Sequence, residues 1–431
     1  VEVLVEGFCG LNSIKNKILP LKERAKIVDE WLKERLDKLL PELMLKEGFD
    51  MWIVDGREYN EDPVMFSLLP STMLSARRRT ILVFALRRDG SLEKLVLSRY
   101  GIEGFYEAVW DPEKEDQFTC LTRIVRERDP KTIGLNFSEN FQHADGLTYT
   151  EYNLISRALG DYMNRVKSAE RLIVQWLEKR IKPEIDVYPG IVGIAHTIIR
   201  EAFSNNVIHP GVTTTEDVVW WMRQTIFDLG LEAWFQPTVD IQAPDNPPQN
   251  FGVQRGNIRK KIMPGDLLHC DVGIRYLNLC TDTQHNAYIL KIGETDAPKS
   301  IENALKTTNR LQDILLEEFE IGRTGNQILK SALEKACREG IKGRIYTHPL
   351  GFHGHGAGPI IGLWDNQEGI PGRGDYEVIE DTCFSIELCT YHKIPEWGDM
   401  EIRMALEDDI VFTNGKPYWL HGRQEQLYLI Q

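Results

Sequence analysis

The sequence predicts an α/β N-terminal domain followed by a larger α+β domain made of two similar halves, and three observations predict it. Short apolar runs alternate with a helical stripe over roughly the first 165 residues. A pattern of Gly, Thr and Glu or Gln recurs ahead of two helical stretches farther along. Beyond residue 265, carboxylates sit inside runs that otherwise read as core strands. A chain of 431 residues is too long for one ordinary core. The expected division is residues 1–165 and 166–431.

In the first part, LKERAKIVDEWLKERLDKLL (21–40) carries Ala25, Val28, Trp31, Leu32, Leu36, Leu39 and Leu40 on one helical face with charges opposite. MWIVD, TILVFAL, KLVLS and TIGLNF follow, each bounded by Gly, Asp or Arg-rich turns, and read as strands. Residues 150–204 are mostly helical, with breaks expected at Lys182-Pro183 and Tyr188-Pro189-Gly190. In the second part, PGVTTTEDVVWWMRQTIFDLG (210–230) and IGRTGNQILKSALEKACREG (321–340) align Gly211, Thr213 and Glu216 with Gly322, Thr324 and Gln327. Each Thr-x-x-Glu/Gln predicts a capping box that opens a helix.

Composition narrows the function. Acidic residues outnumber basic ones by 65 to 51, and a net charge of -14 opposes any sequence-independent grip on nucleic acid. No apolar run approaches the roughly 18 residues of a membrane span. Seven cysteines without a CxxC pair argue against a disulfide framework and for a reducing, cytoplasmic setting, with export after removal of a signal as the alternative.

The chemistry concentrates in three places. GDLLHCDVGIRYLNLCTDTQHNAYIL (265–290) reads as two strands about a turn near Tyr276-Leu277, which makes Asp271 and Asp282 direct cross-strand neighbours with Cβ atoms roughly 5 Å apart. Two opposed carboxylates repel, so something positive belongs between them. Glu387 in FSIELCTY and Glu407 in RMALEDDIVFT interrupt core-like strands, where an unpaired charge costs several kcal/mol. Alternation puts Cys383, Ser385, Glu387 and Cys389 on one face. Finally, HPLGFHGHGAGP (348–359) gathers His348, His353 and His355 among glycines that let backbone approach a metal centre closely. Four carboxylates and one imidazole match the ligand set of two divalent cations about 3.5 to 4 Å apart. His355 is the first choice for that imidazole.

With these motifs in this order, the chain resembles the pita-bread metallopeptidases: methionine aminopeptidase, aminopeptidase P, prolidase and the related creatinase. The ligand order Asp, Asp, His, Glu, Glu is similar to Asp271, Asp282, His355, Glu387 and Glu407, with the two Asp eleven positions apart. Gly354 through Gly358 is similar to the family's Gly-His-Gly-Ile-Gly, while His353-Gly354-His355-Gly356 also fits the His-x-x-Gly form of its proline-specific members. The resemblance implies a creatinase-like α/β N-terminal domain and a pita-bread catalytic domain with an internal pseudo-twofold repeat. It further implies two divalent metal ions (Mn, Co, Zn or Fe), a peptide substrate with proline at its second position, and a homodimer. Glu387 would transfer the proton, and His353 and His348 would donate to the developing oxyanion. Trp220, Trp221, Trp234, Phe235, Trp364 and Trp397 are candidates for an apolar wall around a proline ring. Two family histidines have no counterpart: counting seven residues from His355 reaches Gly362, and FQPTVDIQAPDNPPQN (235–250) contains none. The alternatives are a non-cleaving peptide-binding module and a non-peptide C–N hydrolase of creatinase type.

Overall fold

The computed structural model describes residues 10–246 and 260–431, so the end of the 235–250 stretch lies outside the described residues. Contacts divide the chain into two compact units, Pro20–Leu177 and the remainder. The division falls after the expected residue 165. Helix Glu170–Glu178 keeps its buried residues with the first unit, where Trp176 Nε1 donates to Ser67 Oγ at 2.7 Å.

The first unit is built on a six-stranded sheet. Its central strand Met51–Arg57 pairs antiparallel with Arg79–Leu86 and parallel with Ile133–Leu135. Both strands of the antiparallel pair are buried almost throughout, which is why they read as unbroken apolar runs. Helices Gln117–Arg128 and Tyr149–Leu159 lay Leu121, Ile124 and Ile155 on Ile53, Val83 and Leu95. Asp116 and Thr148 cap their N-termini by accepting backbone N–H bonds. The striped helix forms over Leu21–Glu34 and continues through a π-helical turn, Arg35–Leu39, into Leu40–Glu47.

The second unit repeats itself in its hydrogen bonds. Gly211 N–H donates to Ile262 O and Gly322 N–H to Val378 O; Ile262 N–H donates to Thr213 O and Val378 N–H to Arg323 O; Thr215 N–H donates to Lys260 O and Gly325 N–H to Tyr376 O. The two helices that follow are Thr215–Asp228 and Gly325–Arg338. Thr324 caps the second through Gln327, as predicted, but the first is capped by Thr214 through Asp217. The first half carries one extra residue after its glycine, and Thr213 Oγ1 accepts instead from His209 N–H at 2.9 Å. Helix Lys182–Ala202 starts with Pro183 in its first turn, where proline costs little, and runs unbroken through Pro189. The expected break at residues 188–190 is absent because buried Ile191, Val192, Ile194 and Ile198 hold that stretch against the core.

One strand turn decides the layout of the site. Leu277 and Asn278 both have positive φ, 52° and 60°, and close a two-residue hairpin that pairs Arg275 with Cys280. Its centre lies one residue later than predicted, so in the adjoining ladder Asp271 faces Gln284 and not Asp282. Asp282 falls two residues along, on the same face.

Candidate metal centre

Two small sheets meet at the site. One carries Leu267–Val272 and Thr283–Ile289; the other carries His348–Leu350, Thr382–Ser385 and Asp409–Thr413. Gln284 and Glu407 join them through reciprocal backbone bonds, Gln284 N–H to Glu407 O at 3.0 Å and Glu407 N–H to Gln284 O at 3.1 Å. Asp282, Glu387 and Glu407 are buried and Asp271 is half-buried.

His348 stands at the centre of these carboxylates. Its Nε2 is 3.3 Å from Glu407 Oε1, 3.7 Å from Asp282 Oδ2 and 3.9 Å from Glu387 Oε2, and makes no hydrogen bond. Asp271, Asp282 and Glu407 form an adjoining group whose ligand atoms all lie within 4.8 Å of one another. Asp271 Oδ1 and Asp282 Oδ1 are likewise buried without a hydrogen-bond partner. His355 is exposed on the loop beyond, its ring 4.7 Å from that of His348, and one of its nitrogens reaches the group of Asp282 and His348. His353 belongs to none of these groups and packs on Phe352. Pairing of His348 with Ser385 turns its ring inward, because Ser385 itself donates to Glu407 Oε1 at 2.7 Å.

The electrostatics fit a cation site. Burial, then the Glu407 charge, pushes Asp271 up to about 8, and burial pushes Glu407 up to about 8. Burial followed by neighbouring carboxylates raises Asp282 and Glu387 well above the usual carboxylate range. Like charges 4 Å apart repel by roughly 4 kcal/mol at a dielectric near 20, so several ionised carboxylates coexist here only around positive charge. Burial lowers His348 to about 4, leaving a neutral imidazole with a lone pair to give. Divalent ions suit the unpartnered atoms of Asp271, Asp282 and His348.

Two supporting residues escaped the sequence reading. Gln284 Nε2 donates to Glu387 Oε1 and to Glu407 Oε2, both at 2.6 Å, and His269 Nε2 donates to Gln284 Oε1 at 2.9 Å. Trp364 Nε1 also donates to Glu387 Oε1, at 3.2 Å. The signal for Gln284 was its position two residues after Asp282, on the same strand face. The predicted face of Cys383, Ser385, Glu387 and Cys389 is interrupted between strands Thr382–Ser385 and Leu388–Ile394, and its two polar members, Ser385 and Glu387, both reach the cluster.

The glycines serve a different contact from the one expected. A Cβ on Gly354 would fall 2.2 Å from the Trp234 indole, so the loop approaches an aromatic ring. Trp234 stacks edge-on against Phe235 and His355 at 4.5 and 5.2 Å, and Tyr346 lies 6.1 Å from Trp364. Trp220 instead faces solvent and Trp397 belongs to the core around Ile402 and Met404.

The model of metallopeptidase family M24 matches residues 191–414, more than half of the chain and every residue of the cluster. The chain belongs to that family. Like other structures of this architecture, it is similar to the X-Pro aminopeptidase of Thermotoga maritima over 89% of this chain and 98% of that one, with 19% identity and a TM-score of 0.63. It is similar to a dipeptidase of Pyrococcus horikoshii over 92% and 100%, with 19% identity and a TM-score of 0.62. The Xaa-Pro dipeptidase of Bacillus anthracis aligns over 95% and 100%, with 16% identity and a TM-score of 0.62. A comparison with curated proteins finds no match. At such identities the likeness shows the fold, an α/β N-terminal domain with a pita-bread domain, and the M24 membership shows a metallopeptidase family. No helix among the described residues is long and apolar enough to cross a membrane.

Proposed function

We propose that this M24 member hydrolyses peptide bonds on the amino side of proline, using two divalent ions held by Asp271, Asp282, His348, Glu387 and Glu407. His348 takes the ligand role for which His355 was the first choice. The observation that carries this reading is the convergence of Asp282, Glu387 and Glu407 on one unbonded, neutral His348 nitrogen. Bound divalent cations lower the pKa of water and polarise the scissile carbonyl.

The chain's own residues supply the rest. Glu387 Oε1 is saturated by Gln284 and Trp364, which leaves Oε2, 3.9 Å from His348, to take a proton from water and pass it to the leaving amine. His355, beside His348 and Asp282 yet open to solvent, would donate to the substrate carbonyl oxygen, the part earlier given to His353 and His348. Trp234, Phe235, Tyr346 and Trp364 offer apolar faces near the cluster for a proline ring. The Xaa-Pro activities named for the Thermotoga and Bacillus structures support that substrate. A carboxylate-rich site with one imidazole takes Mn, Co, Zn or Fe. The resemblance also supports a homodimer, which sedimentation velocity checks.

The test is to strip the protein of metal, reload it with Mn, Co, Zn or Fe separately, and offer Xaa-Pro dipeptides and longer Xaa-Pro peptides. Hydrolysis with at least one ion is expected; none with any ion refutes the reading.

A further inference from the structure

Strand alternation gives this site a counterpart on its other face. Gln284 and Glu407 turn toward the catalytic cluster, so their neighbours His285 and Asp408 turn the opposite way, and there they meet His196 of helix Lys182–Ala202. His196, His285 and Asp408 are all buried, and one ligand atom from each lies within 4.8 Å of the others. Asp408 Oδ1 is 2.9 Å from His285 Nε2 and 3.3 Å from His196 Nε2.

His285 Nε2 donates to Asp408 Oδ1, but the second imidazole of the group is left without such a bond. His196 Nε2 lies within reach of Asp408 Oδ1 yet makes no hydrogen bond, so the oxygen is off the axis that an N–H would need. Each ring also has a partner at its outer nitrogen: His196 Nδ1 is 3.1 Å from His421 Nδ1, and His285 Nδ1 is 3.2 Å from Tyr428 Oη. Without an ion, His285 Nε2–H donates to Asp408 Oδ1 at 2.9 Å; an ion held at Nε2 would move that proton to Nδ1, where Tyr428 Oη accepts it, and the His196 Nδ1–H would be accepted by His421 Nδ1, as in metal-bound histidines whose far nitrogen is tied down. The second carboxylate oxygen, Oδ2, accepts Gln424 N–H at 3.2 Å and leaves Oδ1 for the ion. Donors at about 2.0 Å around a tetrahedral ion stand about 3.3 Å apart, close to the spacings found.

We propose that His196, His285 and Asp408 form a separate mononuclear metal site, back to back with the catalytic centre. Two imidazoles and one carboxylate favour Zn2+ over Mg2+ or Ca2+, with a fourth position left for solvent. Such an ion would tie helix Lys182–Ala202 to the strand Thr283–Ile289 and fix Asp408, the residue next to Glu407. The site neither uses a catalytic ligand nor depends on the peptidase reading.

The test uses the full chain with Asp271→Asn and Asp282→Asn, which removes two catalytic ligands. After chelation and titration with Zn2+ alone, metal content and X-ray absorption are read on desalted protein. About one tightly held Zn2+ with two imidazole nitrogens and oxygen in its first shell is expected. That ion should be lost when His285→Gln or His196→Gln is added. No retained Zn2+, or retained Zn2+ indifferent to both added substitutions, overturns the proposal. If those variants do not fold, anomalous scattering at the zinc edge from crystals of the Asp271→Asn, Asp282→Asn protein decides: a peak between His196, His285 and Asp408 supports the site, and no peak there refutes it. Because peptidase turnover is not the readout, failure of the proposed activity leaves a distinct result.

Discussion

Replacing Gln284 with leucine tests the supporting shell directly. Its amide bonds both Glu387 and Glu407, each at 2.6 Å, and His269 fixes which way it faces. A hydrogen bond to a charged acceptor contributes about 1.5 to 3 kcal/mol, so two set a ceiling of about 3 to 6 kcal/mol. Water entering the gap and relaxation of the two carboxylates recover part of that. Loss of an outer-shell partner typically costs ~10- to 100-fold in metal affinity, equivalent to about 1.4 to 2.7 kcal/mol, which lies below the ceiling as it should. Leucine keeps the bulk and removes both donors, and the backbone bridge to Glu407 persists. Gln284→Leu should therefore weaken divalent-ion binding by ~10- to 100-fold, measured by competition with a chromophoric chelator, while thermal unfolding of the metal-saturated protein stays cooperative. Gln284→Glu should be worse, since it adds another carboxylate to the cluster. An affinity for Gln284→Leu indistinguishable from the parent would refute the argument that this amide holds the two glutamates in place.

Other outcomes follow from the same geometry. Glu387→Gln should lower kcat by ~100- to 10,000-fold while much of the metal remains, checked by steady-state kinetics beside elemental analysis. His348→Ala should lose metal, whereas His355→Ala should keep it and turn over more slowly; the reverse pattern in metal content would return the ligand role to His355. In metal-free protein, Asp271 and Glu407 hold their protons up to about 8 when folded, but ionise near their ordinary values when unfolded. Their contribution to stability is thus complete at acidic pH, is lost progressively as pH rises toward about 8, and is flat beyond. Melting curves of chelated protein should show this fall and added Mn or Zn should suppress it; a metal-free melting temperature that climbs across that window would contradict it.

The clustered carboxylates were legible because a charge inside an apolar run is costly wherever the chain folds, and Glu387 and Glu407 announce that cost locally. The first unit was legible for a similar reason: Met51–Arg57 and Arg79–Leu86 are buried almost throughout, so their composition alone marks them. What the sequence hid were relations between distant segments. Moving the hairpin centre by one residue, to Leu277 and Asn278, exchanged Asp282 for Gln284 as the partner of Asp271, and nothing near residue 271 records that shift. The choice among His348, His353 and His355 rested on their glycines, yet Gly354 makes room for Trp234 and the inward imidazole is set by pairing with Ser385. His348 does carry one local mark, the apolar Pro349-Leu350 that continues its short strand, whereas His353 and His355 lie past the strand's end. His196 was invisible for the opposite reason: a lone histidine in an apolar helix reads as ordinary core, and only the fold brings His285 and Asp408, far along the chain, within ligand distance of it. A ligand set drawn from one motif can be read locally, but one assembled by the two faces of a strand pair emerges only when register is known.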